Sequence, residues 1–184
     1  MITLTAIDEL IYDRLDVVRV LVIAPKKVAE ATWQTEARKW PHLRRLTFAT
    51  ALGTEPQRAK AIDSGADITV INRENVVWLV EHWGMAWPFD MVVVDESSSF
   101  KSSAAKRFKA LRKMLPKISR MVILTGTPAP NGIEDLWSQI YLLDRGERLG
   151  RYITHYRERY FDHNPWRHEY ISRSEERFSR NAET

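Results

Sequence analysis

The sequence predicts an α/β fold of three layers, an αβα arrangement in which helices cover both faces of a parallel sheet. Short apolar runs recur along the chain, and each is continuous rather than alternating, which is typical of strands buried on both faces. Helix-length stretches separate the runs, and this alternation predicts βαβ units with right-handed crossovers. The predicted strands cover residues 20–24, 46–49, 68–71, 91–94 and 121–124.

Helix start signals lie between and after the predicted strands. In a capping box, a hydroxyl or amide side chain and a Glu or Gln three positions later each satisfy a free amide at the helix start. This spacing occurs at Thr54 with Gln57 and at Asn131 with Glu134. We therefore expect helices to begin at these two places.

The end of the chain departs from this rhythm. Residues 151–161 can form a helix, but beyond Asn164-Pro165 the sequence is polar, rich in Arg and without obvious strands. We therefore expect one domain over residues 1–161 and an Arg-rich tail over residues 162–184 that is disordered in part.

The composition excludes several classes of protein. The 184 residues include no Cys, which rules out disulfide scaffolds, zinc held by Cys and thiol catalysis. The longest aliphatic stretches are far too short to span a bilayer. Residues 1–16 carry acidic groups and lack the apolar segment of a secretory signal. The expected protein is soluble, intracellular and not associated with a membrane.

Positive charge is concentrated in one segment. The chain has 28 Lys and Arg against 24 Asp and Glu, yet residues 101–120 contain eight basic residues and no acidic one. A helix capped by Ser102 or Ser103 is expected here, with Phe108, Leu111 and Leu115 on one face and basic residues on the rest. A solvated helix usually mixes both signs of charge, so this segment is expected to face phosphates or another acidic partner.

Two acidic residues follow the fourth predicted strand. Asp95 and Glu96 stand where an open α/β sheet binds its ligands, at the carboxyl end of a strand. In nucleotide hydrolysis an Asp in such a position holds Mg²⁺ and a Glu polarises the attacking water. Alternatively, Asp95 caps the next helix while Glu96 is solvated, because strand-to-helix turns favour Asp.

A threonine-rich turn follows the fifth predicted strand. Thr125-Gly126-Thr127-Pro128 begins thirty positions after Asp95, a distance that suits one helical crossover. Small hydroxyl side chains and Gly let the backbone approach a neighbouring carboxylate or water. The turn alone is an ordinary signal, but with Asp95-Glu96 in this order it favours a nucleotide-hydrolysing site.

Together these segments resemble the first RecA-like domain of superfamily 2 helicase-type ATPases, nearest to the Swi/Snf-like branch and its phage-encoded relatives. Residues 20–27, followed by Trp33 and residues 36–40, resemble the motif Ia region, and residues 70–74 resemble motif Ib. Residues 92–101 resemble motif II, the DEAD/DEAH box, with Ser97-Ser98 where Ala-His commonly stands. Residues 124–131 resemble motif III, and the resemblance extends over residues 1–161.

The resemblance implies a role for each matching residue. Asp95 would bind Mg²⁺ and Glu96 would act on the catalytic water, with ATP and Mg²⁺ as cofactors of the complete enzyme. The residues that would couple the nucleotide state to nucleic-acid contact are Thr125, Gly126 and Thr127. The residues that would bind nucleic acid, expected to be DNA, are Lys26, Lys27, Asn72, Arg73 and Lys101. The implied location is the cytoplasm of a bacterial or phage-infected cell.

One family element has no match in this sequence. No segment fits G-x-x-x-x-G-K-[ST], the phosphate-binding loop, and no Gly precedes Gly53. Residues 2–10 resemble the helix that follows this loop, so we expect a RecA-like P-loop NTPase fold without its first strand. Losing the loop's hydrogen bonds would weaken ATP binding by about 5–10 kcal/mol. We therefore expect no ATP or Mg²⁺ bound to this fragment and no hydrolysis by the fragment alone.

Two further expectations follow from the missing loop. The resemblance to RecA-like sheets implies that the strand carrying the loop would lie beside the fifth predicted strand, so that edge of the sheet is expected to be open and to favour self-association. A different function is also open at this point: the chain could be a non-catalytic basic module that binds nucleic acid or a protein.

Overall fold

A five-stranded parallel sheet forms the centre of the computed structural model, which describes residues 1–166 and 169–173. Numbered along the chain, the strands lie in the order second, third, first, fourth and fifth, so the fifth strand forms one edge of the sheet, as predicted. All strands of this sheet run parallel, which confirms the predicted fold class. The strands are β1 (Val20–Ala24), β2 (Phe48–Ala51), β3 (Ile68–Asn72), β4 (Met91–Asp95) and β5 (Arg120–Leu124).

The second strand begins two residues later than predicted. Leu46 closes the turn before it, because its amide donates to the carbonyl oxygen of Leu43 at 3.2 Å. The amide of Thr47 donates to the Asp67 side chain at 2.7 Å. Regular pairing with β3 therefore starts at Phe48.

Helices cover both faces of the sheet. One apolar cluster packs the first two helices against one face, and a second cluster packs the next four helices against the other. Branched side chains on every central strand fill both clusters, as expected for strands buried on two faces. A single π-helical turn, Glu9–Asp13, continues α1. The helices are α1 (Ile2–Asp8), α2 (Lys26–Arg38), α3 (Glu55–Asp63), α4 (Val76–Trp83), α5 (Lys106–Met114), α6 (Leu136–Asp144) and α7 (Ile153–Tyr160).

One predicted helix start is confirmed. Thr54 and Gln57 form a capping box at the start of α3. The box predicted at Asn131 is wrong, because the Asn131 amide donates to the carboxylate of Asp135 at 3.0 Å. The other half of that predicted box, Glu134, instead forms an ion pair with Arg157.

The start of α5 also differs from the prediction. Neither Ser102 nor Ser103 caps this helix, because the Ser102 carbonyl accepts the Ala105 amide in a preceding turn and α5 begins after Ala105. The predicted apolar face is confirmed, since its three residues are buried. These residues are Phe108, Leu111 and Leu115.

The expectation that the tail has no strands is wrong. Strands β6 (Phe161–Asn164) and β7 (Glu169–Ser172) form an antiparallel hairpin. Aromatic contacts explain it, because Phe161 packs against both Tyr156 and Tyr170 in a sequence that is otherwise polar. The disorder predicted for the last residues of the tail, 172–184, lies outside the described residues from position 174 onward. No helix of the described part is long and apolar enough to cross a membrane.

Candidate nucleotide site at the carboxyl rim

The acidic pair and the threonine-rich turn lie side by side. Strands β4 and β5 are parallel neighbours, and Asp95 pairs in register with Leu124. Both strands therefore end at the same rim of the sheet, and the segments that follow leave it together. The sequence predicts this arrangement, and the structure forms it.

Asp95 is held by a residue of helix α2. The indole Nε1 of Trp33 donates a hydrogen bond to Asp95 Oδ2 at 3.0 Å. Trp33 is buried and Asp95 is half-buried, so the bond is partly protected from water. Among the described residues, Asp95 Oδ1 receives no hydrogen bond. The indole thus fixes the carboxylate and leaves one oxygen available to a ligand.

A pocket of about 190 Å³ opens beside Asp95. It lies between the amino end of α1, the middle of α2 and the ends of β4 and β5. Glu36 brings a second carboxylate to its wall, and hydrogen bonds from Lys39 and Trp40 lower the pKa of Glu36. Sequence reasoning singled out neither Trp33 nor Glu36 as a site residue. The lining residues are Met1, Thr3, Leu4, Thr32, Trp33, Glu36, Asp95 and Leu124.

Glu96 adopts an unusual backbone conformation. Its φ of 55° and ψ of 59° lie in the left-handed region, which disfavours side chains other than Gly by about 1–2 kcal/mol. The turn that follows is closed by the Ser99 amide, which donates to the Glu96 carbonyl oxygen at 3.1 Å. This bend leaves the Glu96 side chain exposed at the rim. A strained residue that carries a free carboxylate is typical of a functional position.

Buried hydrogen bonds join the two turns, and the sequence analysis did not predict them. Ser97 Oγ donates to Gln139 Oε1 of helix α6 at 2.7 Å. Gln139 Nε2 donates to the carbonyl oxygens of Pro128 at 2.6 Å and Asp135 at 3.0 Å. One glutamine therefore links the turn after β4 to the turn after β5. Ser97 and Gln139 are 42 positions apart, and no local pattern pairs them.

The threonine-rich turn is closed by its own side chain. The Thr127 amide donates to Thr125 Oγ1 at 3.1 Å. At Gly126, a Cβ would meet no atom within 4 Å, so the close backbone approach expected at this glycine is absent among the described residues. Thr127 and Gly126 are exposed, whereas Thr125 is half-buried beside the rim.

The predicted nucleic-acid residues that precede β4 differ in availability. Lys26 and Lys27 are exposed at the start of α2, and their ammonium groups have no partner among the described residues. Asn72 is buried and Arg73 half-buried, and both donate to the Glu74 carboxylate. Partial burial raises the pKa of Glu74, but these two hydrogen bonds, together with a backbone hydrogen bond and the charge of Arg73, outweigh it, so the pKa lies below its ordinary value.

Lys101 takes part in the link between the turns. Its Nζ lies 3.6 Å from Asp135 Oδ2, and its carbonyl oxygen accepts the hydroxyl of Ser138. Its side chain is 34% exposed, so a phosphate that reached it would share the ammonium with Asp135. The nucleic-acid role of Lys101 stays a prediction.

The donor set suits a magnesium ion only together with a nucleotide. Within the described residues, no group of three or more His, Asp or Glu side chains could hold a metal. Mg²⁺ is commonly held by one or two carboxylates together with substrate phosphates, whereas sites made of protein ligands alone are unusual. Asp95, with one free oxygen at the edge of a pocket, fits that mode of binding.

A parallel sheet with helices on both faces and polar residues at its carboxyl rim defines the class of open α/β domains, whose ligands bind outside the carboxyl ends of the strands. The family described as SNF2-related domain matches residues 1–162, and the chain belongs to this family. The Swi/Snf-type resemblance seen in the sequence is thereby confirmed.

Similar proteins agree with this assignment. The chain is 41% identical to putative protein p41 of Acyrthosiphon pisum secondary endosymbiont phage 1, over 86% of this chain and 36% of that protein. It is 31% identical to the mouse DNA excision repair protein ERCC-6-like, over 73% of this chain and 11% of that protein. The Sulfolobus solfataricus SWI2/SNF2 ATPase core, solved in complex with dsDNA, superposes with a TM-score of 0.71 at 25% identity, over 86% of this chain and 31% of that one. The chain thus spans about a third or less of these relatives.

Proposed function

We propose that this chain forms the first RecA-like lobe of an ATP-dependent DNA helicase or translocase. The observation that carries the proposal is the pairing of β4 with β5, which brings Asp95-Glu96 beside Thr125-Gly126-Thr127 at the carboxyl rim. Membership of the SNF2-related family and the likeness to an ATPase core solved with dsDNA support the same function.

The roles of the rim residues follow from their positions. Bound with ATP, Mg²⁺ would neutralise the charge that develops as the terminal phosphoryl group passes to water. Asp95, oriented by Trp33, would hold the ion through its free oxygen. Glu96 projects into solvent beside it and would accept the proton of the attacking water.

Coupling between nucleotide and DNA would use the buried link. A shift of the turn at Asp95 moves Ser97, and Ser97 is bonded to Gln139, which holds the Pro128 carbonyl. The Thr125 turn would therefore respond to the state of the nucleotide through contacts within one chain.

DNA would lie across the rim on the side of β1 and β3. Lys26 and Lys27 offer two positive charges there that have no partner in the described part of the chain, and Arg73 adds a third that is shared with Glu74. Asn72 would position this turn, because its amide is already engaged by neighbouring side chains. Contacts of this kind fix the register of DNA through phosphates and carry little sequence information.

A second candidate function applies to the 184-residue polypeptide by itself. Its sequence contains no phosphate-binding loop, which favours a lobe that binds DNA but does not turn over ATP when alone. The two candidates share DNA binding and differ in hydrolysis, so a single set of measurements separates them.

The test is duplex DNA binding by fluorescence anisotropy over a salt series, with ATP hydrolysis measured in parallel. We expect a linear fall of log K with log salt, and a slope about 2 units shallower for the variant Lys26→Ala/Lys27→Ala. Absence of duplex binding would contradict the proposed function. DNA-stimulated ATP hydrolysis by the 184-residue chain would contradict only the second candidate, in which the isolated lobe does not hydrolyse ATP.

A further inference from the structure

Helix α5 presents a face that carries only positive charge. Lys106, Lys109 and Lys113 occupy positions i, i+3 and i+7, so they lie along one side of the helix, and all three are exposed. Arg107 lies half-buried beside them. The apolar residues of the helix are buried on the opposite side, and these are Phe108, Ala110, Leu111 and Met114.

The other basic residues of segment 101–120 are engaged within the fold. They pair with carboxylates, donate to backbone carbonyls or stack on a ring. These contacts are Lys101 with Asp135, Lys117 with the carbonyls of Gly84 and Met85, Arg120 with Asp16, and Arg112 over Tyr141. Within residues 1–166 and 169–173, the side chains of Lys106, Arg107, Lys109 and Lys113 form no hydrogen bond or ion pair.

Folding does not account for Lys106, Arg107 and Lys109, and only Lys113, in the last turn, is favoured by the helix dipole. Lys106 and Arg107 stand in the first turn of α5, where the helix dipole disfavours positive charge, and no acidic residue occupies that turn. Lys109 repels Lys106 and Lys113, since like charges three or four positions apart destabilise a helix. Charges that weaken their own helix indicate a partner outside the chain.

We infer that this face of α5 binds the phosphate backbone of duplex DNA, as a second contact apart from the rim. No apolar side chain of α5 is exposed, so the face lacks the buried core of a protein interface. It also lacks the aromatic rings on which the bases of a single strand would stack. Lysines without such neighbours suit the backbone of a duplex, which is recognised through charge alone.

The second contact lies on a different surface from the first. Helix α5 covers one face of the sheet together with α4, whereas α2, which carries Lys26 and Lys27, covers the other. The two contacts therefore lie in different helical layers of the fold. This inference rests on the proposed DNA-binding function, and it adds a second site to it.

The test compares variants of equal charge in the same duplex-binding assay. Lys106→Ala/Lys109→Ala/Lys113→Ala removes the face and raises helix propensity, so this variant is expected to fold. The control replaces three exposed basic residues that lie off α5 and have no partner among the described residues. These control positions are Arg38, Arg44 and Lys60.

We expect the α5 variant to reduce the salt slope by about 2–3 units and the control by less than one unit. Between about 50 and 200 mM salt, the wild type would then lose about 40-fold more affinity than the α5 variant. Equal slopes in the α5 variant and the control would overturn the inference. Polyglutamate that competed for binding as effectively as unlabelled DNA would also overturn it. If only Lys26→Ala/Lys27→Ala changes the slope, the rim proposal stands and the α5 inference fails. No duplex binding by the wild type would overturn both.

Discussion

Replacing Gln139 with Leu removes the link between the turns after β4 and β5 at nearly constant side-chain volume. Gln139 accepts the Ser97 hydroxyl and donates to the Pro128 and Asp135 carbonyls, so one substitution breaks three hydrogen bonds. Ser97 is 0% exposed, and water cannot replace its lost partner without a local opening.

The size of the effect follows from the burial of each partner. An unsatisfied buried hydroxyl costs about 1–3 kcal/mol. Pro128 is exposed and Asp135 is half-buried, so water can form hydrogen bonds with both carbonyl oxygens in the variant. Each of these two lost bonds therefore costs only about 0.5 kcal/mol. We therefore expect Gln139→Leu to lower the free energy of unfolding by about 2–4 kcal/mol.

The assay is urea unfolding followed by tryptophan fluorescence, with hydrogen exchange at residues 125–131 as a local readout. Ser97→Ala/Gln139→Leu removes both buried partners together. Its loss in the free energy of unfolding should therefore be smaller than the sum of the two single losses by about 1–3 kcal/mol. Exchange at residues 125–131 should rise in the single variant Gln139→Leu. Additive single effects, or a loss below about 0.5 kcal/mol for Gln139→Leu, would refute the reasoning.

Three further outcomes are expected. Trp33→Phe removes the hydrogen bond to Asp95 and should lower the free energy of unfolding by about 1.5 kcal/mol, and this loss should be smaller in an Asp95→Ala background, which offers the indole no acceptor. Burial raises the pKa of Tyr156, so the unfolded chain loses the phenolic proton at a lower pH than the folded chain does. The free energy of unfolding should therefore fall as pH rises above about 10. Tyr156→Phe should reduce that fall when urea unfolding is measured at alkaline pH. The open edge at β5 should give concentration-dependent association in sedimentation, and a strictly monomeric chain at high concentration would contradict it.

Local pattern was enough to predict the sheet and the place of the site. Continuous apolar runs are typical of buried parallel strands, and the strand ends carry their polar residues directly after them in sequence. Asp95 and Thr125 could therefore be placed together before any coordinates, because neighbouring parallel strands end at one rim.

The residues that sequence reasoning missed act over long separations. Trp33 contacts Asp95 across 62 positions, and its apolar helical setting indicates only core packing. Gln139 appears as one polar residue in an apolar helix until Ser97 is placed against it. The cap predicted at Asn131 failed for a related reason, since a tertiary ion pair with Arg157 takes the glutamate on which the capping box depended.

The central proposal is that Asp95 and its neighbours form the metal- and nucleotide-binding site of a DNA-dependent ATPase lobe. Line broadening by Mn²⁺, added together with millimolar ATP in place of Mg²⁺, tests it most directly, because paramagnetic broadening in nuclear magnetic resonance spectra detects even a weakly occupied site. We predict that the Trp33 indole N–H and the amides of Thr125 to Thr127 broaden first, and that Asp95→Asn abolishes this. Broadening centred elsewhere, or unchanged in Asp95→Asn, would contradict the account.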